Sequence, residues 1–293
     1  MKKYISVAIR VFISLVLIVY LFSQQDFGKI WMFLKTYRYE FLIAGLGLQV
    51  IGTYVSSMRW AAILKTSGYE VPTKNLFFLY TKGYFFNNFL PTQMGGDVYK
   101  SYNLGTQIDN QSVALFSVFM DRFGGLVVLL LLGLFGIGSL YGLVGVVGAL
   151  VLVIIGLAVY FPVLNIAAKK VKFLNKFKEA SDLFMKDKEN GLKVLGLSVL
   201  VQLISFSLVY VLFLGMDIGL PLWAVLAYMP IVSLSLLIPS FNGFGTQETV
   251  YAFLFKSAGV TEPISIAVSL LMHCVRLLMS LLGGLFLLFK IEK

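Results

Sequence analysis

Three acidic and basic positions stand where a mostly apolar chain should not carry charge. Asp121 and Arg122 are adjacent inside one apolar run, and Arg276 lies in the middle of another. A charge at that depth of a bilayer costs at least about 2.5–3.5 kcal/mol, so it is read as functional or paired. Two further acids, Asp97 and Glu248, follow breaks of matching design. The first break runs Asn87-Asn88-Phe89-Leu90-Pro91-Thr92-Gln93-Met94-Gly95-Gly96-Asp97. The second runs Ile238-Pro239-Ser240-Phe241-Asn242-Gly243-Phe244-Gly245-Thr246-Gln247-Glu248. Each has a proline after an apolar residue, a glycine four residues on, another glycine, and then the acid.

Pro/Gly-interrupted apolar segments at matching places in two halves point to a midplane binding site in a transporter. Backbone outside a helix survives at that depth only where it is buried in protein or lines a wet cavity. Glycine lets backbone approach a ligand closely. Helices restarting after Gly96 and Gly245 would aim positive ends at the breaks, a site for phosphate or carboxylate. Arg122 and Arg276, from equivalent spans, would complete an anion clamp. Asp97 and Glu248 could equally cap the restarting helices, and pairs such as Arg122 with Asp97 and Arg276 with Glu248 could simply hold the hairpins.

These residues require a membrane-spanning frame. The 293 residues are 59% hydrophobic and 13% charged, with a mean hydropathy of +0.88. Spans of about 20 apolar residues fall near 4–22, 40–62, 112–139, 140–161, 192–214 and 264–289. Met1-Lys2-Lys3 before the first of them suggests a signal anchor. Arg59, near the end of the second span, reads as a snorkelling side chain. The broken units occupy 76–104 and 222–258, each too short and interrupted for a simple crossing. The fold expected is therefore all-α and polytopic: about six transmembrane helices plus two re-entrant helical hairpins. One domain, 1–293, would comprise inverted pseudo-repeats 1–139 and 140–293.

Residues 165–191 carry seven lysines and read as a cytoplasmic loop or a basic amphipathic helix on the headgroups. With the N-terminus inside, most Lys and Arg fall on the cytoplasmic side, which places both termini there in a cytoplasmic (inner) membrane. The net charge of +10 is spread between spans, which argues against nucleic acid as a partner. One cysteine and one histidine exclude a Cys/His metal cluster, no cofactor motif occurs, and His273 reads as a packed polar residue. No Gly-x-Ser-x-Gly, Walker loop or dinucleotide fingerprint is present.

The three motifs together resemble the membrane domain of lysylphosphatidylglycerol synthase, the multiple peptide resistance factor family, which includes stand-alone flippase-like proteins. They are Asn88-Phe89-Leu90-Pro91-x3-Gly95-Gly96-Asp97, then Asp121-Arg122, then Pro239-x3-Gly243-x-Gly245-x2-Glu248. Asp97 and Asp121 replace the family's usual Glu, which keeps charge and shortens reach. The resemblance implies movement of a lipid such as lysylphosphatidylglycerol between leaflets, with aminoacyl transfer confined to a separate soluble domain. No soluble domain follows the last span within these residues, so a non-enzyme is expected. Asn87, Asn88, Gln93, Asn242, Thr246 and Gln247 would then hydrogen-bond a headgroup. Pro91, Gly95, Gly96, Pro239, Gly243 and Gly245 would shape the tips. Asp97, Asp121 and Glu248 would balance charge or meet a cationic headgroup, and Arg122 and Arg276 would hold the phosphate. The partners expected are a membrane phospholipid and anionic headgroups, with a separate synthase or a second copy of the chain left open. A carrier of small polar or anionic solutes, a membrane scaffold for a separate synthase, and a polyprenyl-lipid enzyme are the alternatives.

Overall fold

The computed structural model describes residues 27–87, 95–170, 172–236 and 243–289. Among these every regular element is a helix. In chain order the helices are α1 Phe27–Thr36, α2 Tyr39–Thr66, α3 Thr73–Asn87, α4 Gly95–Gln107, α5 Gln111–Lys170, α6 Lys172–Lys186, α7 Lys188–Leu214, α8 Leu222–Ser235, α9 Thr246–Lys256 and α10 Glu262–Leu288. Four stretches are long and apolar enough to cross a membrane: Tyr39–Thr66, Gln111–Leu134, Lys188–Leu214 and Glu262–Leu288. The protein is an all-α, multi-pass membrane protein. The span expected at 4–22 lies outside the described residues.

The third and fourth expected spans form α5, which breaks at Gly142 (φ 61°, ψ −152°), a conformation that only glycine adopts readily. Val146 reaches back to Gly138 there, so close that a Cβ on Gly138 would lie 3.0 Å from it. A continuous helix would hold the two about 12 Å apart, so the chain reverses at Gly142.

Both broken units are hairpins. Their arms contain 15 and 13 residues in α3 and α4, and 14 and 11 in α8 and α9. At 1.5 Å per residue each arm is about 16–22 Å long, short of the ~30 Å hydrocarbon layer. In the first hairpin Phe86 stacks on Tyr99 at 4.2 Å, and a Cβ on Gly96 would meet the Gly83 carbonyl oxygen at 2.5 Å. That backbone contact brings the arms together. In the second, the hydroxyls of Tyr228 and Ser257 lie 2.7 Å apart, which sets α9 back alongside α8.

The helices pair in a reciprocal pattern. The most extensive pair is α2 with α7, where Gly45 and Gly52 admit Leu212 and Ile204. The first arm α3 packs on α10, and the first arm α8 packs on α5. The second arms α4 and α9 lie on α5 and α10 respectively. Small residues permit both crossings: Gly283 and Gly284 of α10 receive the Thr81 backbone and the Phe85 ring, and Gly133 of α5 receives Pro230.

Two segments gain definition in the structure. Residues 27–36, given no element between the first two expected spans, form α1, which buries Ile30 in a small cluster with Ala252, Ile266 and Ala267. The basic segment contains a helix, α6, whose Ala180 and Ser181 are buried and whose Phe184 packs with Ala62, Ile63, Phe116, Met120 and Val194. The Phe184 face therefore meets the bundle. Asp187 ends the segment by capping α7, with its carboxylate accepting from Asn190 N at 3.1 Å. The Asn190 side chain also donates, Nδ2 to Asp187 Oδ2 at 2.8 Å, and it and the backbone bond hold the Asp187 carboxyl below its ordinary pKa.

Candidate functional site

A cavity of about 490 Å³ opens between α2, α3, α4, α5 and α7 and the end of α8. Its walls are graded. Along α2, Leu48, Gly52, Ser56 and Arg59 line it on successive turns, so an apolar end and a cation are separated by about 16 Å. Along α5 the order is opposite, from Asp121 and Arg122 through Gly125 to Leu126 and Leu129. Ile204 and Leu208 of α7, with Leu234 and Leu236 at the end of α8, add to the lining. Gln49, Tyr84, Gln202 and Ser205 supply neutral polar groups.

The charged end has two connected ion-pair systems. Arg59 Nε donates to Asp121 Oδ1 at 2.8 Å, with both residues almost fully buried, and Arg59 also reaches Ser198 Oγ at 3.3 Å. The Tyr80 hydroxyl donates to the other Asp121 oxygen. Next to this, Arg122 grips Asp97 with two hydrogen bonds, Nε to Oδ2 at 2.8 Å and Nη2 to Oδ1 at 3.1 Å. Lys100 Nζ reaches Asp97 Oδ1 at 2.9 Å and lies 3.8 Å from the centre of the Tyr80 ring. Three cations face two carboxylates, leaving a surplus positive charge. Arg122 carries the accessible part: its side chain is 56% exposed, against 6% for Arg59 and 3% for Lys100.

Adjacent helical residues point about 100° apart and cannot pair with each other. Asp121 and Arg122 must therefore find separate partners, and that rule supplies the signal for Arg59 and Asp97. The snorkelling reading of Arg59 is corrected: seven residues, or about 10 Å, separate it from the helix end at Thr66, and it is 5% exposed. Lys82 and Lys100, assigned to the cytoplasmic side by the charge count, are likewise buried. Removing all three leaves the basic excess on the same side.

Both hairpin tips reach the cavity. The first contributes Asn87, Gly96 and Asp97, and the second Gly243. Asn87 Oδ1 accepts from Gly96 N at 2.7 Å, so this side chain joins the two arms across the break. Asn88, Pro91, Gln93, Pro239 and Asn242 lie outside the described residues. Gly95 is buried at the start of α4. Asp97 has Arg122 and Lys100 as its partners and is an ion-pair residue, whereas Glu248 does cap its helix.

The second tip is a tight turn. Gly243 and Gly245 have φ of 84° and 83°, the left-handed region that favours glycine. Thr246 Oγ1 donates to the Gly243 carbonyl at 2.9 Å, and Glu248 Oε2 accepts from Gly245 N at 2.8 Å. This is half of a capping box, since glycine has no side chain to reciprocate.

Arg276 is not part of the cavity lining. Its Nη2 donates to Gln247 Oε1 at 2.6 Å, and Gln247 Nε2 in turn donates to Ser269 Oγ at 3.1 Å. Arg276 and Glu248 form no direct ion pair; the group that meets Glu248 is His273, with Nε2 2.8 Å from Oε1. His273 is buried as expected of a packed residue, and Phe244 stacks on its ring at 3.9 Å. The two arginines expected to close one clamp thus serve different places.

A helical membrane protein with two broken hairpins converging on one amphipathic cavity is the class defined by this geometry. Residues 7–284 match the family described as the lysylphosphatidylglycerol synthase TM region, and the chain belongs to that family. It is also similar to the UPF0104 membrane protein MJ1595 of Methanocaldococcus jannaschii, 26% identical over 94% of this chain and 92% of that protein. No solved structure matches.

Proposed function

We propose that this protein is a flippase-like transporter that moves an anionic or aminoacylated phospholipid across the cytoplasmic membrane. The graded cavity carries the reading. A small polar solute needs only the charged end, but an amphiphile uses the leucine-lined end as well. Arg122 would hold the lipid phosphate, with Lys100 and Arg59 adding positive potential behind it. Asp97 would release part of its hold on Arg122 when phosphate arrives, and an aminoacyl ammonium would then take its place at that carboxylate. The reciprocal pairing of hairpins and spans supports an inverted repeat, with one half rocking against the other around the cavity. The family's association with lysylphosphatidylglycerol fits this substrate class.

The test is translocation of fluorescent phosphatidylglycerol in proteoliposomes. Arg122→Ala should slow it at least about tenfold, the loss expected for one charge-assisted phosphate contact of roughly 1.5–3 kcal/mol. Arg122→Lys should keep part of the rate, and Arg276→Ala should cost less than Arg122→Ala. An Arg122→Ala protein that folds and transports at the wild-type rate overturns the reading. Uptake of a soluble phosphate ester without lipid movement would turn it toward a solute carrier.

A further inference from the structure

The second hairpin contains a buried polar cluster that the cavity does not use. Its register matches the first. Asp97 is the third residue of α4 and meets Arg122 twenty-five positions later; Glu248 is the third residue of α9 and meets His273 at the same interval. The partner separations are both 2.8 Å. The acid of one hairpin therefore meets a guanidinium, which is always charged, and the acid of the other an imidazole, which is not, with Ser269 Oγ also donating to Glu248 Oε1 at 3.2 Å.

The surroundings suit a group that gains and loses a proton. Glu248 and His273 are 4% and 6% exposed, and the aromatic ring of Phe244 covers the imidazole. His273 Nδ1 has no hydrogen-bond partner, and Nε2 approaches Glu248 without the alignment of a straight hydrogen bond. The ring is thus held at ion-pair distance with both nitrogens incompletely satisfied. Among the described residues, the charged groups acting on it are Glu248 of α9 and Arg276 of its own helix. Tyr251 of α9 and Tyr84 of α3 stand near Arg276. Arg276 has its own acceptor in Gln247, so it does not substitute for the imidazole at Glu248.

We propose that Glu248 and His273 form a proton-binding site that tightens the second hairpin on its span when occupied and loosens it when empty, with the Arg276–Gln247 and Ser269–Glu248 contacts present in both states. With a proton bound, the contact is a full charge pair like Asp97–Arg122, in a more buried setting. Without it, a neutral imidazole faces a carboxylate and the hold weakens. Carboxylate and imidazole groups inside membrane helices are the usual parts of proton relays. The link from this site to lipid movement rests on the transporter reading above; the site itself rests on the geometry.

His273 is the only histidine in the chain, so 15N-histidine labelling without a polyhistidine tag gives one imidazole to follow. Its ring resonances should shift as the imidazole gains a proton on lowering pH, and Glu248→Gln should lower the midpoint of that shift, because removing the anion disfavours the charged ring. In proteoliposomes, wild-type lipid movement should rise at least about fivefold as pH passes upward through that midpoint. His273→Arg should be slow and flat with pH, and His273→Gln faster and flat. An imidazole that keeps one protonation state throughout, or a His273→Gln profile identical to wild type, overturns the proposal. Titration with the Glu248→Gln shift, but no lipid movement at any pH, would support the proton site and overturn the lipid reading.

Discussion

The first hairpin unit faces an accessible cavity and the second is sealed in the main apolar core. Asp97, Lys100 and Arg122 line open space and share it with Arg59 and Asp121. Their matched positions on α9 and α10 are Glu248, Tyr251 and His273, all buried, with Tyr251 packed on Phe213 and Phe255. The register is common to both units, but permanent charge has been placed where solvent or a headgroup can reach it. At the matched positions the sealed copy carries groups that can be neutral, and its one permanent cation there, Arg276, is only partly buried and held by Gln247. One hairpin is thereby suited to bind and the other to hold position.

The largest effect should come from the feature that the second unit lacks. Asp121 is 1% exposed and its cationic partner is Arg59. Arg59→Ala leaves that carboxylate buried with only the Tyr80 hydroxyl, and should destabilise the folded protein by about 3–5 kcal/mol. Thermal unfolding in detergent would show the loss. The double substitution Arg59→Met with Asp121→Leu should recover most of the stability, because it removes both buried charges. An Arg59→Ala protein as stable as wild type would mean the pair is solvated, and the contrast between the units would fall with it.

The helix crossings give an intermediate effect with a defined order. A Cβ at Gly283 would run into the Thr81 carbonyl oxygen, which belongs to backbone, whereas one at Gly133 would meet the Pro230 ring at 2.8 Å. A proline ring can shift by a few tenths of an ångström more readily than a helix backbone can. Both Gly→Ala changes should overpack and cost about 1–3 kcal/mol, with Gly283→Ala the worse. Equal losses would indicate that the two crossings are equally tight.

Much of this arrangement was legible from residue type and spacing. The proline and glycine breaks were readable because no other residues interrupt a membrane helix so distinctly, and the four described spans fall close to their expected places. The reversal at Gly142 fits the expected boundary between spans at 139 and 140. The short helix α1 was not legible: ten residues with exposed Trp31 and Met32 carry too little pattern to separate helix from loop. Arg59 was misread because nearness to a helix end was weighed without asking which cation Asp121 would require. The Glu248–His273 match was present in the sequence as an interval. It was missed because Arg122 was paired with Arg276 by side-chain type, and the interval from the acid points to His273.

The smallest effect should have the opposite sign from the rest. Lys100 and Tyr251 each stand three residues after the acid of their hairpin, and each is buried, 2% and 0% exposed. Lys100 holds Asp97, so Lys100→Met removes a charge-assisted contact and should destabilise the protein while slowing lipid movement. The Tyr251 hydroxyl is buried without a hydrogen-bond partner. Tyr251→Phe removes an unsatisfied polar atom and keeps the ring that packs on Phe213 and Phe255, so it should be neutral or stabilising by up to about 1 kcal/mol. The paired unfolding measurements decide whether the matched positions differ in kind. A clear loss of stability in Tyr251→Phe would mean that its hydroxyl holds a group such as an internal water, and the sealed unit would then be wetter than its side chains suggest.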